Sequence, residues 1–252
     1  MRSFPLGQRS RAARLLVLAG LSLVVSYGLL RFLAFSAQRT LPPFQVAPLP
    51  SQTVPSISDP SIFFYENFES FQSQPWKQFV RNGKTNYQLF RGEGGTSLKA
   101  VSRASASGLV RDIHFRAQDY PILSWRWKVE HPVEGADLKT KKGSDAAARI
   151  YVIFEGKGPF SMEHLLNYVW AWNLPKEETS RSYFSKNSRI LVVENAKEGI
   201  GEWRIETRNL LEDYRKAFGD EPPAVKAIAL MTDTDNTGKE AIAYYDDLRI
   251  SR

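Results

Sequence analysis

The sequence contains no cysteine and only three histidines, His114, His131 and His164. The absence of cysteine excludes disulfide bonds within the chain and the cysteine-based zinc sites. The histidines are far apart in sequence and show none of the spacings at which histidines bind one metal. There is also no Gly-x-Ser-x-Gly motif and no glycine loop for phosphate. These absences argue against the most readily recognised classes of zinc enzyme, serine hydrolase and nucleotide-binding protein.

Acidic residues are missing from the first 36 positions, which hold five of the 34 basic residues. Residues 15–30 form an uncharged apolar run behind four of these arginines. A membrane-spanning helix needs about 20 apolar residues and a cleavable signal needs a core of about 7 to 15, so this run fits either. We therefore predict a signal peptide or a membrane anchor over residues 1–36.

The position of the arginines predicts where the rest of the chain resides. Basic residues before an apolar segment favour a cytoplasmic N-terminus, so the following residues should be exported to the periplasmic side of the cytoplasmic membrane. The domain would then be anchored there or released by signal cleavage. Beyond residue 36 the chain carries 29 basic and 27 acidic residues, a net charge of +2. This near-neutral remainder gives no indication of a nucleic-acid partner.

Residues 37–60 are predicted to be a linker because proline occurs there at a density that resists both helix and sheet. Its prolines are Pro42, Pro43, Pro48, Pro50, Pro55 and Pro60. The linker leads to a folded domain over residues 61–252.

That domain is predicted to be all-β, because short segments of alternating apolar and polar residues recur along it. The clearest alternation covers residues 121–130, in which Trp125 and Trp127 are expected to lie in the core. The pattern predicts an antiparallel β-sandwich of about eleven strands. One short helix is expected to begin after Asn209 and to end at Gly219.

A strand over residues 202–208 is expected to direct Trp203, Ile205 and Thr207 inward. The alternating charges between them, from Glu202 to Arg208, would then face solvent.

Aromatic residues also alternate over residues 166–172, where Tyr168, Trp170 and Trp172 are in register. Two alternatives are open: these rings pack in the core, or they form a surface that binds a ligand. Tryptophan can stack its apolar face on a sugar ring while its N–H binds a polar group. Asn167 and Asn173 would add amide hydrogen bonds to sugar hydroxyls. The second alternative predicts a binding site for a glycan or another ligand of the cell envelope.

Two carboxylates fall on apolar faces of the predicted first and last strands. Two buried like charges require protonation, an arginine such as Arg111, or a bound cation, unless the strand ends are exposed. Calcium prefers oxygen ligands, so we predict that Glu66 and Asp246 bind a structural calcium ion together. The apolar residues expected beside them are Ile62, Phe64, Phe68, Ile242, Tyr244, Leu248 and Ile250.

The segment Asp233-Thr-Asp-Asn-Thr-Gly238 resembles the beginning of a calcium loop, with acidic residues at positions 1 and 3 and glycine at position 6. Tyr244 occupies position 12, where an EF-hand has glutamate, so that motif is incomplete. A polar hairpin loop is the simpler interpretation.

An enzyme that cleaves glycosides needs two carboxylates at a set separation. Candidates on or beside the predicted strands are Asp145, Glu155, Glu194, Glu202 and Glu206. Their spacing in the sequence selects no pair.

Several segments together resemble a bacterial family catalogued as domain of unknown function 3047. They are RASASGLV at 103–110, PILSWRWKV at 121–129, ARIYVIF at 148–154, LNYVWAWNLP at 166–175, EDYRKAFG at 212–219, and MTDTDNTG with AYYDD over 231–247. FFYENFES and IAYYDDLRI are similar to the first and last strands of jelly-roll carbohydrate-binding modules, several of which hold a structural calcium ion there. This second resemblance implies a jelly-roll sandwich.

The leading prediction is therefore an exported jelly-roll sandwich that binds a glycan or other envelope ligand. An enzyme acting on a polysaccharide and a structural interaction domain are the alternatives. Two facing carboxylates in a cleft beside the tryptophans would favour an enzyme, whereas an open aromatic face would favour binding.

Overall fold

The computed structural model describes residues 59–69, 76–92, 94–158 and 161–252. The predicted signal or anchor over residues 1–36 and almost all of the predicted linker lie outside these ranges. Within the described part of the chain, no helix is long and apolar enough to cross a membrane.

The described residues form 13 β-strands and one α-helix. The elements in chain order are β1 (Ile62–Glu66), β2 (Lys77–Asn82), β3 (Asn86–Gly92), β4 (Gly95–Arg103), β5 (Ala106–Phe115), β6 (Ile122–His131), β7 (Ala146–Phe154), β8 (His164–Ala171), β9 (Thr179–Arg181), β10 (Ser188–Asn195), β11 (Arg204–Asn209), α1 (Leu210–Phe218), β12 (Val225–Asp233) and β13 (Glu240–Ser251). The strands β2 and β9 are absent from the sequence-based prediction.

The strands form two sheets. Sheet A has the order β11-β6-β13-β4-β3, with β1 also paired to β13, and sheet B has the order β2-β5-β12-β7-β8-β10-β9. This arrangement confirms the predicted all-β sandwich. The prediction of purely antiparallel pairing is wrong at one place, because β8 and β10 run parallel. Both unpredicted strands lie at the edges of sheet B, where a short strand needs little apolar alternation.

The core lies between the sheets and is rich in aromatic rings. Trp125 and Trp127 on β6 are buried, as predicted, and their ring centroids lie 5.3 Å apart. Trp125 also contacts Tyr168 at 5.5 Å, and Trp127 contacts Trp170 at 5.7 Å. Large apolar rings in such contact contribute strongly to the stability of a core. Here they join the middle of sheet A to β8 of sheet B.

The helix α1 has the two ends that the sequence predicts. The side chain of Asn209 accepts hydrogen bonds from the backbone N–H groups of Leu211 at 3.1 Å and Glu212 at 3.3 Å. Gly219 adopts a left-handed conformation with φ 73°, and its N–H donates to the carbonyl of Arg215 at 2.8 Å. These caps satisfy backbone groups that a helix leaves unpaired at its ends.

The strand β13 changes its inward face partway along. Its pairing with β6 shifts between Asp246 and Arg249, and Asp247 has a φ of 50°. A bulge of this kind adds one residue and exchanges the two faces of a strand. As a result, Asp246 shares the outer face with Tyr244 and does not lie beside Leu248. The residues of β13 in the core are Ala241, Ala243, Tyr245, Leu248 and Ile250.

The prediction for the strand now labelled β11 is wrong, because its faces are reversed. Ile205 is 80% exposed, whereas Glu206 and Arg208 face the interior opposite Trp125 and Leu123. The indole N–H of Trp127 donates to Glu206 at 3.1 Å, so the charged residue has a partner inside. Alternation alone could not reveal that partner.

Candidate functional site

A row of aromatic and basic side chains crosses the outer face of sheet A. Its members are Phe90 on β3, Lys99 on β4, Tyr244 on β13, Lys128 on β6, and Trp203 just before β11. Tyr244 is directly opposite Lys99 on one neighbouring strand and Lys128 on the other. We call these five residues the outer row. Because adjacent strands lie about 4.8 Å apart, a row across five strands is about 19 Å long.

Rings and ammonium groups alternate along the outer row. The centroid of Tyr244 lies 5.3 Å from that of Phe90 and 6.3 Å from that of Trp203. The Lys128 Nζ lies 4.3 Å from the Tyr244 centroid and 5.6 Å from the Trp203 centroid. The Lys99 Nζ lies 5.3 Å from Tyr244 and 5.5 Å from Phe90. Each lysine therefore sits between two rings, where the negative ring faces attract its charge.

The residues of the outer row differ in their access to solvent. Phe90 is 39% exposed and Trp203 is half-buried, whereas Tyr244 is buried beneath the two lysines. A molecule that approaches this face would meet the rings of Phe90 and Trp203 and the ammonium groups between them. The Tyr244 ring lies beneath both ammonium groups and holds them by cation–π contacts.

Carboxylates border the outer row. The hydroxyl of Tyr244 donates to Glu130 Oε2 at 2.6 Å. The pKa of Tyr244 is raised mainly by burial and to a smaller extent by this hydrogen bond. At the other end, the guanidinium of Arg126 lies 4.9 Å from the Trp203 centroid. Arg126 also forms ion pairs with Asp246 at 2.5 Å and Asp247 at 3.0 Å. The charge of Arg126 is thus already matched by protein carboxylates.

The structure gives each predicted calcium ligand its own arginine. Asp246 pairs with Arg126, and Glu66 Oε2 accepts from Arg111 Nη1 at 3.3 Å and from the indole N–H of Trp76 at 3.0 Å. Burial raises the pKa of Asp246 to about 6, although the hydrogen bond from Arg126 opposes the rise. An arginine partner was one of the alternatives for these carboxylates, and Arg111 fills that role for Glu66. The two charges therefore no longer require a shared cation.

The predicted ligand surface around residues 167–173 needs correction. Tyr168, Trp170 and Asn167 are all buried, so a glycan cannot stack on the first two or reach the third. The alternation of aromatic residues over 166–172 marks the inner face of β8, which lies between β7 and β10 inside sheet B. Trp172 is half-buried against the core and Asn173 is exposed. The binding prediction stays open for these last two residues only.

Three carboxylates are placed to share a metal ion. Ligand oxygens of Asp145, Asp233 and Asp235 all lie within 4.8 Å of one another. All three already have protein partners, and Asp235 accepts from the side-chain amide of Asn236 at 3.0 Å. Asp233 forms a buried ion pair with Arg149 at 2.6 Å, and Asp145 accepts from the backbone N–H of Thr237 at 2.7 Å. The acidic groups around the loop over residues 233–238 thus bond partly to residues outside the loop, and Gly238 takes the positive φ, 71°, that the polar hairpin interpretation predicts.

Two carboxylates from the enzyme alternative lie beside core tryptophans. Glu206 accepts from Trp127, and a register shift in β10 places Glu194 opposite Trp170 on β8. Burial raises the pKa of Glu206 to about 7, and the nearby charge of Glu194 adds to the rise. Glu194 is itself buried and contacts Lys176 at 2.8 Å. Because both tryptophans are also buried, these carboxylates are not beside an open aromatic surface.

The outer row is absent from the sequence-based prediction. In that prediction Trp203 points inward, and Tyr244 lies on the same apolar face as Leu248. One signal was present, because the alternation over residues 121–130 already placed Lys128 on the outer side. The pairing of β13 with both β4 and β6 joins residues more than a hundred positions apart, and alternation within one segment contains no such information.

The fold and the outer row define a β-sandwich protein with an aromatic and cationic face on one sheet. Residues 74–249 match the model of the family described as "Protein of unknown function (DUF3047)". The chain belongs to this family, as the sequence motifs predicted. A comparison with curated proteins gives no match.

Several solved structures align with this chain at low sequence identity. "Cellulose induced protein, Cip1" aligns with 9% identity and a TM-score of 0.45, over 75% of this chain and 96% of that one. TmCBM61, solved in complex with β-1,4-galactotriose, aligns with 11% identity and a TM-score of 0.37, over 74% and 94%. A carbohydrate-binding module of the β-sandwich superfamily gives 14% identity and a TM-score of 0.37, over 74% of this chain and 60% of that chain's length. These similarities concern the fold alone.

Proposed function

We propose that the chain binds a glycan on the outer face of sheet A. The observation that carries this proposal is the alternation of Phe90, Lys99, Tyr244, Lys128 and Trp203 across five strands. A sugar ring has an apolar face that packs on an aromatic ring and hydroxyl groups at its edge that need polar partners. The exposed ring of Phe90 and the half-buried ring of Trp203 supply the apolar contact, and the lysines between them supply hydrogen-bond donors.

The dimensions of the outer row favour an extended ligand. The outer row is about 19 Å long, which is longer than one sugar ring. Phe90 and Trp203 would therefore contact different sugar rings of one glycan molecule. Each lysine would then reach the hydroxyl groups between the two stacked rings.

The cellular setting of this function follows from the expected export of the chain. The arginines before the apolar run in residues 1–36 predict that the domain resides on the periplasmic side, where glycans of the cell envelope are its available ligands. A periplasm-dependent reporter enzyme fused after Arg252 tests this location. It should be active, and an inactive fusion produced at normal levels would contradict the location without affecting the binding proposal.

A glycan array probed with the purified full-length chain tests the proposed function. The ligands it identifies are then titrated against Phe90→Ala and Trp203→Ala. Each variant should bind at least about fivefold more weakly, because a stacked ring contributes about 1 kcal/mol or more. Tyr183→Ala is a matched control, since Tyr183 is an aromatic residue 56% exposed and lies just after β9 of sheet B. Unchanged affinity in both outer-row variants, with unchanged melting temperatures, would contradict the proposal.

A further inference from the structure

Building on the proposed function, we infer that the glycan is anionic and that Lys99 and Lys128 bind its negatively charged groups. Carboxylate, sulfate and phosphate groups share this chemistry.

The two lysines of the outer row lack the ion pairs that other basic residues of sheet A have. Arg126 pairs with Asp246 and Asp247, and Arg103 pairs with Glu240. Within the described ranges, neither Lys99 nor Lys128 forms a salt bridge. Their positive charges are therefore available to a ligand.

The fold also brings these two charges to the same ring. Lys99 and Lys128 lie on the strands either side of β13, and both ammonium groups lie over Tyr244, at 5.3 and 4.3 Å from its centroid. Like charges placed this way repel each other, and an anion above Tyr244 would interact favourably with both. Such an anion would lie between the rings of Phe90 and Trp203.

The nearest acidic group does not remove this positive charge. Glu130 accepts the hydrogen bond from the Tyr244 hydroxyl at 2.6 Å and therefore lies at the hydroxyl end of the ring. Two ammonium groups lie over the Tyr244 ring and one exposed carboxylate is bonded to its hydroxyl, so the centre of the row carries more positive than negative groups. Arg126 adds no positive excess, since the two carboxyl groups paired with it, Asp246 and Asp247, outnumber it.

Lysines over aromatic rings suit this ligand class for a second reason. The rings hold the long side chains of Lys99 and Lys128 in place, which lowers the entropy lost when a ligand binds. Each ammonium group can still donate to an anionic oxygen on its solvent side. Hydrogen bonds to charged groups are stronger than those to neutral hydroxyl groups.

The test compares polymers that differ only in charge. Full-length chain is titrated with polygalacturonate and with its methyl-esterified form, which has the same backbone without the carboxylates. Dextran sulfate and dextran form a second pair that distinguishes sulfate from carboxylate recognition. We expect at least one anionic member to bind about tenfold or more tightly than its neutral partner, and this preference should decrease as salt is added.

Substitutions connect the preference to the two lysines. Lys99→Gln and Lys128→Gln should each weaken binding of the anionic polymer about tenfold and weaken binding of its neutral partner by a smaller factor, since a hydrogen bond to a charged group is the stronger one. Lys141→Gln, in an exposed loop, removes the same charge elsewhere and should have no effect. Melting temperatures of all three variants show whether the fold is intact.

The remaining outcomes separate the inference from the proposed function. Equal binding of charged and neutral polymers, sensitive to Trp203→Ala but not to the lysine variants, would overturn the anionic ligand and leave glycan binding supported. Binding of neither anionic polymer would likewise overturn it. Equally tight binding of single-stranded DNA, lost in the lysine variants, would replace a glycan site by a general polyanion site.

Discussion

Replacing Glu206 by glutamine should stabilise the protein at neutral and alkaline pH but not in acid. Burial is the main cause that raises the pKa of Glu206 from 4.5 to about 7. Between these values the folded protein holds a proton on Glu206 that the unfolded chain has released. Stability therefore falls as the pH rises from about 4.5 to about 7, and it changes little above that range on account of this group.

The size of the effect follows from the same pKa values. A carboxyl group shielded completely from water would lose about 3 kcal/mol over this pH range. We expect about 1–2 kcal/mol, because Glu206 is partly exposed and water screens its charge. Glutamine stays neutral throughout, and its amide oxygen can still accept from the Trp127 N–H. The gain in free energy of unfolding should thus be close to zero at pH 4.5 and reach about 1–2 kcal/mol at pH 8.

Urea unfolding of parent and Glu206→Gln at pH 4.5, 6, 7 and 8, followed by tryptophan fluorescence, measures this difference. The raised pKa of Asp246 affects both proteins equally and cancels in the comparison. Glu198→Gln, at an exposed position, is the control and should show a smaller dependence on pH. A Glu206→Gln effect that is the same at pH 4.5 and pH 8, or a loss of stability at pH 8, would refute the reasoning.

Two further predictions concern residues from the sequence analysis. Trp170→Ala should lower the free energy of unfolding by about 3–5 kcal/mol, because it removes a buried ring that contacts Trp127; a loss below about 1 kcal/mol in urea unfolding, next to a neutral Tyr183→Ala, would show that the ring is not part of the core. The change in melting temperature between excess chelator and millimolar calcium should be the same in parent and Asp246→Asn, because Arg126 already compensates Asp246. A calcium response that is present in the parent and lost in Asp246→Asn would restore the shared ion.

Local features were predictable where neighbouring residues determine them. The strand β6 alternates without interruption, so its core residues Trp125 and Trp127 follow from a period of two. Asn209 and Gly219 mark the ends of α1 because a side-chain acceptor and a left-handed glycine satisfy backbone groups within a few positions. The all-β class follows from the recurrence of such short segments. These properties depend on interactions over short stretches of chain, which the sequence displays directly.

The site depended on contacts between distant segments. The bulge at Asp247 exchanges the faces of β13. On β11, Glu206 lies on the inner face, where it accepts a hydrogen bond from Trp127, and Trp203, just before β11, lies on the outer face. A period of two cannot reveal either event, because each requires a partner from another strand. The outer row exists only once β3, β4, β13, β6 and β11 lie side by side. The sequence by itself therefore determined most of the strands and the core tryptophans of β6, and tertiary pairing decided which of the other aromatic rings are buried and which are available to a ligand.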